Sequence, residues 1–348
     1  MATTPNPDIG DIIATTIERR SKKAADNITR RNGLLNKLSR KGNVMPFSGG
    51  TKLFEEIEYA QNSTVQWYSG YEQINVQPSQ TLTAAEYPIR QAAVAVSISG
   101  LEQLQNAGPE QMIDLIESRV KNAENTLMAL IAQAVYNDGT VPKAIGGLRQ
   151  LIATTPTNTV GGIDSGTWQF WKNITYGAVT NGGAATTSAN IRRYMDALYP
   201  QLLMGDNSST DLIVADNTMW TYFNESLQPL QRFQDEDTAK AGFRNLVYMG
   251  NIPVMLDGGF QGYPNAPTNP GEGSPNGSDY VPLGGVPAGF MYFINTNFLK
   301  YRPHSKRNFV PLNPDRHSIN QDAVVKLNAW AGQLTVTNRR AQGVLYPT

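Results

Sequence analysis

The chain has 348 residues, with 29 Lys and Arg against 29 Asp and Glu, so its formal net charge is zero. That length allows a sizeable core, arranged as two domains or as one large domain with extensions. Cys is absent and His occurs only as His304 and His317, which excludes disulfides, Fe–S clusters, Cys nucleophiles and thiolate or His-rich metal sites.

At the N-terminus, the first apolar stretch, Ile9 to Ile17, is broken by Asp11 and preceded by Pro5, Pro7 and Asp8 without a basic lead. That is not a secretory pattern. No window approaches 18 uninterrupted apolar residues, so no membrane span is expected and assembly in a cytoplasm is. The neutral total hides an asymmetry. Residues 1–45 carry nine basic side chains, among them Arg30, Arg31, Arg40 and Lys41, against four acidic ones, a local balance of +5 that the rest of the chain cancels. One reading is a basic arm that orders on assembly by gripping a neighbouring subunit, a scaffold or a nucleic-acid backbone. The other is a solvated helix face, since Ile9, Ile12, Ile13 and Ile17, and then Leu34, Leu35 and Leu38, recur at roughly helical spacing. The arm with short helical pieces is preferred. Without interleaved aromatics it is a weak footprint for direct DNA reading.

Residues 51–99 read as two long strands, Leu53 to Tyr71 and Tyr87 to Ser99, around the polar stretch Gln73 to Thr83. Such a hairpin cannot bury an apolar face alone. Either it projects onto another subunit, with Trp67, Tyr68 and Tyr71 as the aromatic anchors, or it folds back on its own core; periodicity does not separate the two. Residues 109–137 predict a helix about 43 Å long. Pro109 stands at its first turn, and Met112, Ile113, Ile116, Val120, Ala123, Leu127, Leu130, Ile131 and Ala134 form one apolar stripe before Asn137-Asp138-Gly139. A single stripe on so long a helix suits packing across a sheet.

Residues 140–296 mix helix and strand. Ser188 to Leu203 predicts an amphipathic helix and Asp211 to Asp216 a short buried strand. Asn217 is expected to cap a helix running to Leu227. Phe243 to Met249 and Ile252 to Leu256 predict strands turning at Gly250-Asn251. The Gly- and Pro-rich stretch 257–289 cannot make a core and reads as an exposed functional loop or an insertion. A strand from Phe290 to Ile294 follows. Residues 297–348 return to β character, with Ala323 to Trp330, Gly332 to Thr337 and a terminal apolar strand that closes a sheet begun earlier.

Recognisable catalytic patterns are missing. There is no phosphate-binding Gly-Lys loop, no nucleophile elbow and no zinc-protease pair. His304 and His317 read as surface loop residues beside Pro and several charges. Asp235-Glu236-Asp237 lacks the alternation and Gly of a calcium loop and reads as a solvated turn. No catalytic, cofactor or metal residue is assigned. What the sequence offers is extensions, and extensions that cannot fold alone are how identical subunits interlock.

In the order of these parts the chain resembles the major capsid proteins of tailed double-stranded DNA bacteriophages. The resemblance rests on Val65 to Glu72 and Tyr87 to Ala92, on Glu117 to Asn137 followed by Ile145-Gly146-Gly147-Leu148, and on Trp330 to Thr335 running into Asn338-Arg339-Arg340. It covers nearly the whole chain, and its specificity lies in order and spacing. It implies an α+β fold: an N-terminal arm (1–50), an extended β-hairpin loop (51–99), a peripheral domain with a long spine helix (100–144), an axial domain (145–296) and a peripheral return (297–348). It further implies a virion shell subunit with no enzymatic activity and no cofactor. Copies would form hexamers and pentamers of an icosahedral capsid that packages double-stranded DNA through non-specific contacts, with a portal protein and a docking decoration protein as partners. Because only about 50 residues precede the hairpin, a separate scaffolding protein, or none, and no processing of this chain are expected. On the same terms the inter-subunit residues are Trp67, Tyr68, Tyr71, Arg30, Arg31, Arg40 and Lys41. Encapsulin shells of the same fold, which hold cargo enzymes, are the nearest alternative. A monomeric β-rich adhesin or polysaccharide-acting protein is the more distant one.

Overall fold

The computed structural model describes residues 32–99, 109–203, 209–231, 246–249, 251–257, 285–317 and 323–348. Arg30, Arg31 and most of the basic arm, the Asp235–Asp237 run and nearly all of the Gly- and Pro-rich stretch lie outside the described residues.

Helix α1 (Gly33–Arg40) opens the described chain, capped by the Asn32 Oδ1, which accepts from the Leu35 N–H at 3.0 Å. Leu34, Leu35 and Leu38 are fully buried, so this part of the expected arm is core. Strand β1 (Lys52–Glu58) pairs antiparallel with β2 (Leu82–Pro88), Lys52 opposite Pro88 and Glu58 opposite Leu82. The expected hairpin was longer and differently paired. Its first strand stops at Glu58, and the segment after Pro88 is not its partner. Strand β3 (Arg90–Ser99) instead leaves for another sheet. Pro88 cannot donate to a ladder, which places the change of sheet there.

The predicted long helix is α2 (Pro109–Ala134), 26 residues or about 39 Å. Val120, Ala123, Leu127 and Ile131 lie on its buried side, and it packs on β3. Helix α3 (Leu148–Leu151), the short pair β4 (Thr159–Val160) and β5 (Ile163–Asp164), and β6 (Ile174–Gly177) follow. The predicted amphipathic helix is α4 (Ile191–Leu198), continued by a 3-10 turn (Tyr199–Leu202). Strand β7 (Leu212–Ala215) leads into α5 (Asn217–Gln231). The cap of α5 is Asp216 rather than Asn217, which is the first helical residue. The Asp216 Oδ2 accepts from the Thr218 N–H at 3.1 Å. Then come β8 (Val247–Tyr248), β9 (Ile252–Leu256), β10 (Met291–Ile294), β11 (Leu299–His317), β12 (Ala323–Val336) and β13 (Gly343–Tyr346).

Two main sheets result. One is three-stranded in the order β11-β12-β3, antiparallel throughout. The other is six-stranded in the order β6-β13-β10-β7-β9-β8. Strand alternation divides the core between the two faces of the larger sheet. Ile213, Ala215, Met291, Phe293 and Leu345 meet α4 and α5 on one side. Leu212, Val214, Tyr292, Ile294 and Val344 join the core that α1, the β1–β2 hairpin and α2 share with the three-stranded sheet.

His304 and His317 lie in strand β11, not in loops. Their setting of Pro and charge reads as a loop, yet β11 is an edge strand with three register shifts, where Pro303, Pro311 and Pro314 are tolerated. The His304 ring meets Phe47 edge-on at 4.9 Å. Residues 43–47 cover part of that edge, with the Met45 N–H donating to the Tyr301 carbonyl at 2.9 Å and the Ser305 N–H to the Phe47 carbonyl at 2.8 Å. Strand β12 runs unbroken through Ala331, where the sequence suggested two strands. The terminal strand β13 does close an earlier sheet, running parallel to β6 and antiparallel to β10.

Candidate functional site

The feature without a structural explanation inside one copy is the hairpin beyond Glu58. Its base is anchored firmly. On β1, Leu53, Glu55 and Ile57 face inward while Lys52, Phe54, Glu56 and Glu58 face outward. Glu55 is therefore a carboxylate in a core position, and it is satisfied from three directions. Lys300 Nζ lies 2.8 Å and Arg302 Nη1 2.6 Å from its oxygens, and the Thr335 hydroxyl donates at 3.0 Å. Burial pushes the Glu55 carboxyl up, but the hydrogen bond and charge of Lys300, with Thr335 and Arg302, outweigh it and hold the pKa below the ordinary value. On β2, the buried Tyr87 hydroxyl donates to the Val336 carbonyl at 2.9 Å. Gly161, at φ +61°, brings its carbonyl to the Glu86 N–H at 2.8 Å, and a Cβ there would sit 2.7 Å from that of Ala85. Tyr59, Trp168 and Phe170 cluster at ring separations of 5.7 to 6.1 Å and fix the root of the tip.

Beyond that root the chain is open to water. Trp67 and Tyr71 are fully exposed, at 102% and 107%, and Tyr68, Val65, Ile74 and Val76 are exposed with them. The tip bonds to itself. Thr64 N–H donates to the Asn62 Oδ1 at 3.0 Å, Ser69 N–H to the Glu72 Oε2 at 3.0 Å, and Gln66 Nε2 to the Gln73 carbonyl at 3.0 Å. Trp67, Tyr68 and Tyr71 are thus brought together on one projecting element. The expected basic contacts stand elsewhere. Arg40 is exposed in the last turn of α1, and Lys41 is engaged within the chain, 2.5 Å from Asp211 Oδ2 and 3.1 Å from Asn297 Oδ1.

Two further polar sites went unforeseen. Arg339 is fully buried without a carboxylate. Its Nε donates to the Leu151 carbonyl at 2.8 Å, Nη1 to the Ser165 hydroxyl at 2.6 Å, and Nη2 to Asn158 Oδ1 at 2.8 Å and Asn173 Oδ1 at 3.0 Å. Burial brings its pKa down to about 10. The Tyr136 hydroxyl donates to Asp257, whose carboxyl is raised by burial. Both sites are structural ties, one at the crossover into β13 and one between the end of α2 and the end of β9. Among the described residues no group of three or more His, Cys, Asp or Glu could hold a metal ion, and no helix is long and apolar enough to cross a membrane.

No protein-family model and no curated protein matches the sequence. Solved structures do. A chain of the cyanophage A-1(L) capsid asymmetric unit is 15% identical over 88% of this chain and 90% of that chain, with a TM-score of 0.55. A chain of Gordonia phage Cozz is 13% identical over 88% and 85%, with a TM-score of 0.50. A chain of the capsid of an empty GTA particle is 11% identical over 89% and 90%, with a TM-score of 0.50. The fold that the order of parts suggested is the one the chain adopts, that of the tailed-phage major capsid proteins.

Proposed function

We propose that this chain is a structural head subunit, without catalytic activity, which self-assembles as hexamers and pentamers into an icosahedral shell around double-stranded DNA. The observation that carries the reading is the tip. Two aromatic side chains stand fully in water at the end of a hairpin whose base is locked into the core. Contiguous exposed apolar surface of that kind marks an interaction site, and the fold is shared with chains from capsids. The partners on this reading are further copies of the chain, a portal protein, a separate scaffolding protein, a decoration protein and the packaged DNA, with assembly in the host cytoplasm.

The test is Trp67→Ser with Tyr71→Ser. Neither side chain contributes to the core of one copy, so the variant should unfold at the wild-type denaturant midpoint yet give no intact shells by electron microscopy. Normal, stable shells from the double variant would refute the role given to the tip.

A further inference from the structure

One cleft in the body lies away from the projecting tip. It opens between the last turns of α2, strand β3 and the turn at 141–145, with a volume of about 270 Å³. Ile131, Ala134, Ile145 and Trp330 give it an apolar floor, and Arg90 and Lys143 line it beside them. No acidic side chain does. Among the described residues neither cation has an ion-pair partner, and the Arg90 Nε is buried without a hydrogen bond. The turn holds Lys143 at φ +65°, which is uncommon for a residue with a side chain. A buried donor without an acceptor is costly, so the cleft suits an anion carried on an apolar body. Small-molecule sites run from roughly 300 to 1,000 Å³. This cleft is smaller and has the size for one or two aliphatic side chains of a peptide.

The chain itself holds a segment of that chemistry. Asp8-Ile9-Gly10-Asp11-Ile12-Ile13 interleaves two carboxylates with three isoleucines, and no basic side chain occurs before Arg19. The six basic residues that precede α1 all fall between Arg19 and Arg31. Residues 1–31 lie outside the described residues, and the described chain opens close to the cleft. The Asn32 side chain stands beside the Tyr136 hydroxyl, and Tyr136 is two residues beyond Ala134 of the cleft floor. The eighteen residues 14–31 would span roughly 20–25 Å as a random coil and at most about 60 Å extended. Such a tether reaches the cleft of its own copy with length to spare. A short tether also supplies an effective concentration of about 1 mM, so a contact with a weaker affinity than most interfaces stays occupied. The other acidic run, Asp235–Asp237, is tethered by α5 and Leu246, which pack on the opposite face of the six-stranded sheet from the core that holds Ile131, Ala134, Ile145 and Trp330.

We propose that residues 8–13 fold back onto their own copy, with Ile9 and Ile12 on the apolar floor of this cleft and Asp8 and Asp11 against Arg90 and Lys143. The basic stretch Arg19 to Arg31 is then fixed at both ends rather than at one. The placement does not depend on the shell reading. The absence of native Cys makes the test direct. Gly10→Cys, which keeps the four anchoring side chains, is paired with Ala93→Cys or Ala144→Cys, both on the cleft lining. The control pairs it with Thr221→Cys, exposed on α5 across the larger sheet. With the full-length chain under mild oxidation, non-reducing gels should show an internally bridged monomer for at least one cleft pair, formed about tenfold faster or more than for the Thr221 pair. Lys143→Glu, at an exposed position, should slow that bridge about threefold or more, and adding Asp11→Lys should restore it. Cleft pairs no faster than the control, or a rate that Lys143→Glu leaves unchanged, would overturn the placement. Covalent multimers in place of the bridged monomer would put the segment on a second copy and overturn it equally.

Discussion

Glu55→Gln keeps the shape of the side chain that fastens the hairpin base to the body and removes only its charge. Lys300 and Arg302 would then face a neutral amide at distances of 2.8 and 2.6 Å. Deleting one partner of a fully buried pair costs about 3–5 kcal/mol, because the remaining charge is left without compensation. Here the two cations keep 22% and 20% of their side-chain surface open, so water recovers part of that loss and about 2–4 kcal/mol is expected. The loss should appear as a lower urea midpoint with an unchanged slope. Glu56→Gln, one residue along and facing solvent, should match the wild type. The pH dependence gives an independent check. The folded-state pKa of Glu55 is lowered from its ordinary value of about 4.5, so its contribution is fully present above that value and is lost as pH falls through the lower folded value. Wild type and Glu55→Gln should therefore differ most near neutral pH and converge in acid. Equal stability at pH 7, or a gap that widens in acid, would refute the part assigned to this carboxylate.

Three further outcomes follow from the packing. Arg339→Lys replaces a planar fork making four hydrogen bonds with a single ammonium, stranding buried acceptors at a cost of roughly 3 kcal/mol in thermal or chemical denaturation; a wild-type midpoint would contradict it. Gly161→Val forces a branched side chain both into a left-handed backbone and against Ala85, costing about 2–4 kcal/mol. Gly162→Ala, at φ +76° with open space around it, should cost only about 1–2 kcal/mol. Removing residues 2–31 should leave the body folded and impair assembly in a salt-sensitive way. Removing residues 2–41 should also unfold it, since each fully buried Leu of α1 is worth about 2–5 kcal/mol. Equal solubility and stability of the two truncations would show that α1 is not part of the core.

The long helix, the short buried strands and the terminal strand were readable because their apolar periodicity coincides with what they bury. Strand β1 was readable for the same reason at Leu53 and Ile57, but not in its extent. Val65 and Trp67 continue the alternation past Glu58, although among the described residues no strand pairs with them there. A period of two reports a face, not a partner, which is also why Val94, Val96 and Ile98 were given to the hairpin when β12 pairs with them. The buried charges were hidden by type. Glu55 had a usable signal, since it sits between Leu53 and Ile57 on the inward phase of the strand. Arg339 had none, because its acceptors come from residues 151, 158, 165 and 173, and nothing in Asn338-Arg339-Arg340 distinguishes a buried guanidinium from an exposed one. Strand β11 was obscured by Pro303, Pro311 and Pro314, which an edge position tolerates.

The rigid and the open parts of the molecule are separated sharply. Two of the chain's passages between its two sheets, residues 295–298 and 337–342, are tied to each other. The Gln342 amide exchanges hydrogen bonds of 3.0 and 2.9 Å with the Asn295 backbone, and the Thr337 N–H donates to the Phe298 carbonyl at 2.9 Å. Lys41 and Asn43 add an ion pair to Asp211 and a hydrogen bond to the Thr296 carbonyl. Rotating one sheet against the other would break this partly buried set together, which opposes such a rotation. Beyond the root fixed by Tyr59, Trp168 and Phe170, the tip is held by local bonds of its own, so a change of direction there would leave the core contacts in place. On the proposed shell reading, a subunit that meets neighbours at more than one angle needs that division, because variation confined to the limb leaves the free energy of the body unchanged.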